Sequence, residues 1–382
     1  MLDIVFKHVK TLFSAFVVTS VINIAASIYF ARILGPEVFA VYIASQLFRE
    51  IVQIPFSASF NLPLYHFRKR ISYVTTRLSS LILITFLLYL SLLVLLLQIS
   101  DIFIPNIDSS VVISLSVVFV LSSYGSIATT ILQSNNEYKL ASNINIIATI
   151  VSTLLSLMII VFYQSIYVLV VKEVLYRVVL LIGSVHKAGG FSLISPYFQM
   201  KKSTLNILLF QSYRVWAVNV LDLVSSRIDK ILVNHHYAPI VLSNLQQARH
   251  YAEMPSTLLM PLKPLFLEKF TDPSHTQEEK NSFIKQATII LLSIGLFFGI
   301  VLYVYGSNAI VFLLGQEWLL AAELIQGLSF YIAILPYANF IKIVAYYKKQ
   351  NRQVVQAQLV QIITFILCFI FVTSYYTMQE LP

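Results

Sequence analysis

Apolar runs of about twenty residues recur from one end of the chain to the other, separated by short polar breaks. The pattern predicts eleven membrane-spanning helices, at residues 11–31, 38–62, 78–97, 111–132, 141–163, 166–185, 205–224, 238–262, 287–305, 321–346 and 354–375. Tight turns are predicted at Gly35-Pro36-Glu37, at Gln164-Ser165 and at Gly315-Gln316-Glu317-Trp318, with Trp318 suited to a membrane interface. Basic loops carry Arg68, Lys69 and Arg70, and a charged loop is expected over 263–285. The breaks divide the chain into an N-terminal lobe, 1–186, a connector, 187–204, and a C-terminal lobe, 205–382. Spans one to six fall in the first lobe and seven to eleven in the second, so a twelfth span is expected to be missing.

Composition agrees with this reading. The chain is 58% hydrophobic and 11% charged, against roughly 45–50% and 25% in soluble domains. The runs are too long, and alternate too little, for barrel strands. This is the signature of an all-α polytopic membrane protein. A lone Cys368 inside an apolar run excludes an internal disulfide and a cysteine metal site. The first apolar run is too long for a cleavable signal and is expected to insert as a span. The net charge of +9 lies mostly in short loops on one face, which argues for membrane orientation and against nucleic acid. With the N-terminus in the cytoplasm, seventeen Lys and Arg fall inside, and only Arg32, Arg227 and Lys230 fall near the outside.

A repeat links the lobes. Gln46, Arg49 and Pro55 recur as Gln246, Arg249 and Pro255 at a constant offset, which also matches Val41 with Val241, Leu62 with Leu262, and Lys69 with Lys269. An Arg in mid-membrane costs roughly 2.5–3.5 kcal/mol on insertion scales, so two at matched positions point to a duplicated domain with a polar interior. Chance alignment of two polar-flecked helices is the competing explanation. Six spans per lobe would give both lobes one orientation and a pseudo-two-fold axis along the membrane normal.

Ionisable residues inside spans mark the candidate chemistry. Gln46, Arg49, Glu50 and Gln53 share one face of span two, and Gln246, Arg249, His250 and Glu253 share one face of span eight. Either these faces meet across a water-filled cavity, or pairs such as Arg49 with Gln53 or Glu253 lock the bundle. Pro55 and Pro255 are expected to kink their helices in mid-membrane. Span six carries Glu173 and Arg177, four apart and able to pair, and Lys172, which points elsewhere as an uncompensated cation. Span seven carries Arg214 in its middle and Asp222 nearer the outside. Several Arg suit a phosphate group, which they bind through two parallel hydrogen bonds. The cavity candidates are therefore Arg49, Arg249, Arg214, Lys172, Arg177, Gln46 and Gln246. Glu50, Glu253, His250 and Asp222 are candidates for coupling to protons or sodium. Enzyme chemistry finds little support: His250-Tyr251-Ala252-Glu253 lacks the second His that zinc needs, and no phosphate-binding Gly loop occurs. No cofactor is expected.

The stretch from Ala31 to Tyr42 (Ala-Arg-Ile-Leu-Gly-Pro-Glu-Val-Phe-Ala-Val-Tyr) resembles the motif after the first helix of Wzx-type polysaccharide flippases. Ser226 to Val233 resembles its counterpart after helix seven, and Leu313 to Ala322 resembles that family's turn between helices nine and ten. The resemblance implies the multidrug/oligosaccharidyl-lipid/polysaccharide exporter fold, with two pseudo-symmetric helical lobes around a central cavity. It also implies an undecaprenyl-pyrophosphate-linked oligosaccharide as substrate, moved across the bacterial inner membrane for O-antigen, capsule or exopolysaccharide assembly. A polymerase and chain-length complex would be a partner. Arg49, Arg249, Arg214 and Lys172 would meet the pyrophosphate. An ion-coupled drug antiporter of the same fold is the alternative, and a membrane-bound polymerase or glycosyltransferase is disfavoured by the short loops.

Overall fold

The structure, a computed structural model, describes residues 2–56, 64, 71–100, 104, 107–135, 137–198, 202–213, 216–257, 276–348 and 350–379. Among the described residues there are eleven helices and no strand. They are α1 (Leu2–Gln53), α2 (Ile71–Leu97), α3 (Ser109–Ser134), α4 (Tyr138–Phe162), α5 (Tyr167–Ala188), α6 (Lys202–Tyr213), α7 (Trp216–His236), α8 (Pro239–Thr257), α9 (Gln277–Leu314), α10 (Leu319–Tyr347) and α11 (Asn351–Gln379).

The 52 residues of α1 would stretch about 78 Å as one straight rod, over twice the hydrocarbon thickness of a bilayer. Gly35, at φ 69° and ψ 171°, divides it into two arms where the sequence predicts a turn. At Pro55 the regular α-helix is interrupted: α1 runs to Gln53, and Ile54–Phe56 are 3₁₀. Pro255 lies within α8, near its end.

Seven helices, α1 to α4 and α9 to α11, are long and apolar enough to cross a membrane. The more polar α5, α7 and α8 carry most of the ionisable side chains described below. Two boundaries differ from expectation. Span seven, expected over 205–224, is described as α6 up to Tyr213 and α7 from Trp216, and α7 continues past Val224 through Arg227, Asp229 and Lys230 to His236. Those three residues are therefore helical and not part of an outer turn. The charged segment before span nine also turns helical from Gln277, started by a capping box between Thr276 and Glu279.

In the first half of the chain α3 and α4 pack on α5, and α1 packs on α4 and α3. In the second half α10 packs on α9 and α8, and α11 packs chiefly on α7. The main bridge between these groups is α1 against α8. The α9–α10 contact rests on glycine. A Cβ at Gly295 would sit 2.3 Å from the Ala333 carbonyl oxygen, and one at Gly299 would sit 2.9 Å from the Ser329 carbonyl oxygen. Gly295 and Gly299 form a small-xxx-small pair that lets the backbones approach closely. Gly295→Ala must push the helices apart and is expected to destabilise the protein by about 1–3 kcal/mol, read as a lower thermal midpoint in detergent.

Candidate functional site

Between the two groups of helices runs a chain of cavities. The widest, about 790 Å³, is lined by α1 (Arg49, Glu50, Gln53), α7 (Asp222, Ser226, Arg227), α8 (Arg249, Glu253) and α10 (Tyr331, Lys342). Ser226, Arg227, Arg249 and Glu253 also line a second cavity of about 430 Å³, with Lys230, Gln246 and His250. A neck of about 140 Å³ follows, lined by Gln46, Gln246, His250, Phe39 and Tyr42. Next to the neck, within the first group of helices, lies a distal pocket of about 340 Å³, bordered by Lys172, Glu173 and Tyr176 of α5; Asn23 borders both it and the second cavity.

The charges in the wide cavity form two knots, with α7 contributing to both. In the first, Glu50 accepts from Gln46 Nε2 at 3.0 Å and lies 3.7 Å from Arg49 Nη2. Its other oxygen lies 2.7 Å from Arg227 Nε, a charge–charge contact without an aligned hydrogen bond. Arg49 also donates to the Leu115 carbonyl at 3.4 Å. In the second knot Arg249 donates to Glu253 through Nε at 2.5 Å and to Asp229 through Nη1. Shared partners of this kind make it possible to hold several charges in a low-dielectric interior. Asp222, near the wide end, accepts from Lys342 Nζ at 2.6 Å and from Gln358 Nε2 at 2.5 Å, tying α7 to α10 and α11.

Sequence reading placed Arg49, Glu50, Gln53, Asp222, Arg249 and Glu253 among the intramembrane polar residues, and the structure brings all six to the wide cavity. Arg49 pairs with Glu50, not with Gln53 or Glu253. Gln46, Gln246 and His250 stand at the neck. Lys172 lies in the distal pocket, away from the arginines, and Arg177 pairs with Glu173 at 3.0 Å. Arg214 lies outside the described residues, as do Leu62, Leu262, Lys69 and Lys269 of the repeat. Sequence reading missed the cavity roles of Arg227, Asp229 and Lys230. The signal was present: Asp222, Ser226 and Asp229 recur at helical spacing, and Ile228, Ile231 and Leu232 continue the apolar face past Val224.

Two predicted turns meet and pack together next to Phe39, which borders the neck and the distal pocket. Trp318 is fully buried. Its indole N–H donates to the Ala31 carbonyl at 3.2 Å, and its ring meets Phe39 edge-on at 5.8 Å. Arg32 donates to the Phe312 carbonyl at 2.5 Å, and the Ala321 N–H donates to Asn244 Oδ1 at 2.9 Å. These contacts clamp the Gly35 turn, the Gly315 turn and the start of α8 together. At the other end the side chains of Asp222 and Lys342 are 50% and 38% exposed. Trp318→Phe keeps much of the ring packing but leaves the Ala31 carbonyl unpaired; a loss of about 1–3 kcal/mol is expected, measured by thermal unfolding in detergent.

The solved structure described as "Lipid II flippase MurJ, inward closed conformation" matches this fold with a TM-score of 0.63, over 91% of this chain and 78% of that one, at 17% identity. The arrangement of the helices is thus shared with that protein. No curated protein matches the sequence. A family model described as "Polysaccharide biosynthesis protein" matches residues 29–323. Because that match covers most of the chain, the protein belongs to this polysaccharide biosynthesis family.

Proposed function

We propose that this protein is a flippase that carries an undecaprenyl-pyrophosphate-linked oligosaccharide from the cytoplasmic to the outer leaflet of a bacterial inner membrane. It would supply O-antigen, capsule or exopolysaccharide assembly. The carrying observation is a charged cavity between two helical groups, with the half-exposed Asp222–Lys342 pair at one end and the tightly packed Trp318 contacts toward the other. Five basic side chains, Arg49, Arg227, Lys230, Arg249 and Lys342, line its two larger parts, against the acidic Glu50, Asp222 and Glu253 of the lining and Asp229, which is held by Arg249. That excess of cations suits a pyrophosphate, and the membership in a polysaccharide biosynthesis family and the fold shared with a lipid II flippase support the same reading. The head group enters the cavity while the prenyl tail stays in lipid. Opening of the Trp318 clamp and closure of the other end then complete alternating access.

Coupling to a proton or sodium gradient belongs to the same proposal. Glu50, Glu253 and Asp222 each hold a basic partner, so an entering cation would compete with that partner and loosen a contact between helices. His250 stands at the junction of the second cavity and the neck.

The test is complementation in a bacterium lacking its own polysaccharide flippase. Restored surface glycan supports the reading. Absent glycan with new drug resistance rejects it in favour of an ion-coupled small-molecule antiporter.

A further inference from the structure

We propose that the distal pocket is a saccharide subsite and that Lys172 there selects a sugar bearing a carboxylate. This inference rests on the flippase reading and adds to it the chemical class of the glycan.

The pocket's position and size set the first constraint. It shares no lining residue with the wide cavity and its arginines, adjoins the neck and, at Asn23, the second cavity, and measures about 340 Å³. That is the low end for small-molecule sites, suited to a sugar unit rather than a whole lipid head group. A lipid anchor cannot leave the bilayer, so its pyrophosphate stays with the arginines and the sugar chain leads inward.

The lining sets the second constraint. Tyr42 and Tyr176 border it with aromatic rings, and Asn23 and Ser27 with hydrogen-bonding groups. A pyranose needs both, because its C–H faces are apolar and its rim is all hydroxyl. Tyr176 is held in place by its hydroxyl, which donates to Asn145 Oδ1 at 2.7 Å.

The third constraint is charge. Glu173, next to Lys172 in sequence, is taken by Arg177, whose Nε and Nη2 both lie 3.0 Å from its Oε1. Lys172 Nζ instead lies 5.4 Å from the centre of the Phe30 ring. Among the described residues no carboxylate comes within 4.0 Å of it. In the wide cavity Arg49, Arg227 and Arg249 all have acidic partners. Lys172 is thus a single unmatched point charge in a sugar-sized pocket. One ammonium matches one carboxylate, as in a uronic acid, whereas a pyrophosphate carries more charge than one Lys can balance.

The test uses vesicles containing the full chain and polyprenyl-pyrophosphate disaccharides ending in either glucuronic acid or glucose. The wild type is expected to flip the acidic form roughly 10–100-fold faster, the worth of a hydrogen bond to a charged group. Lys172→Gln should erase the difference and Lys172→Arg should preserve most of it. Free glucuronate should inhibit the wild type where glucose does not, which checks the same point without a variant. Equal flipping of both disaccharides by the wild type, or an unchanged preference in Lys172→Gln, overturns the subsite and leaves the flippase reading intact. Flipping of neither disaccharide overturns the flippase reading and the subsite with it.

Discussion

Replacing Arg249 by Ala is expected to lower the stability of the folded protein by about 3–5 kcal/mol and to abolish surface glycan. The guanidinium holds Glu253 on its own helix and Asp229 on α7. Without it two part-buried carboxylates lose their counter-charge, and breaking such a pair costs more than the pair contributes. Thermal unfolding in detergent checks the first effect, and surface glycan in a complemented strain checks the second. Adding Asp229→Asn to Arg249→Ala removes one of the stranded charges and should recover part of the stability. Export should stay absent, because the anion contact is still missing. An unchanged thermal midpoint in the single variant would show that the knot between α7 and α8 does not hold the fold.

Lys230→Gln should behave in the opposite way, lowering flipping roughly 10–100-fold with no loss of stability. Lys230 is 5% exposed and borders the second cavity. No carboxylate lies within 4.0 Å of it among the described residues, since its neighbour Asp229 is held by Arg249. An unpaired buried ammonium is a cost to the folded state, so its removal is neutral or stabilising. For an entering anion the same group is the cation least committed elsewhere, and a hydrogen bond to a charged group is worth about 1.5–3 kcal/mol. Flipping in vesicles and thermal unfolding together check this. Equal losses of both would mean that Lys230 supports the fold and not the passage.

Much of this could be read from the residues. The span pattern follows from apolar runs, because a bilayer leaves the backbone few alternatives to helix. The turns at Gly35 and Gly315 were legible because both glycines adopt positive φ, 69° and 103°. The matched faces of Arg49 and Arg249 pointed to a polar interior, and both residues line the wide cavity. What local pattern did not supply was the partner of each charge. The repeat invites contact between the two arginine-bearing helices, yet α7 contributes to both knots, with Arg227 at Glu50 and Asp229 at Arg249. Hydropathy ended that span at Val224 because Ser225, Ser226, Arg227, Asp229 and Lys230 follow closely. A helix that lines a wet cavity need not be apolar on that face. The clamp was hidden for a different reason: Ala31 and Trp318 are 287 residues apart, and neither turn carries a local sign of the other.

Ser226 borders both of the larger cavities, so a cysteine there reports directly on whether they form one passage. The measurement is labelling of Ser226→Cys, in a chain with the exposed Cys368 replaced by Ser, by a membrane-impermeant thiol reagent applied to each face of reconstituted vesicles. Labelling is expected only from the Lys342 side at rest, shifting to the Trp318 side when pyrophosphate-linked glycan is added. Labelling from neither side, or from both at once in the resting protein, would contradict a passage that opens to one face at a time.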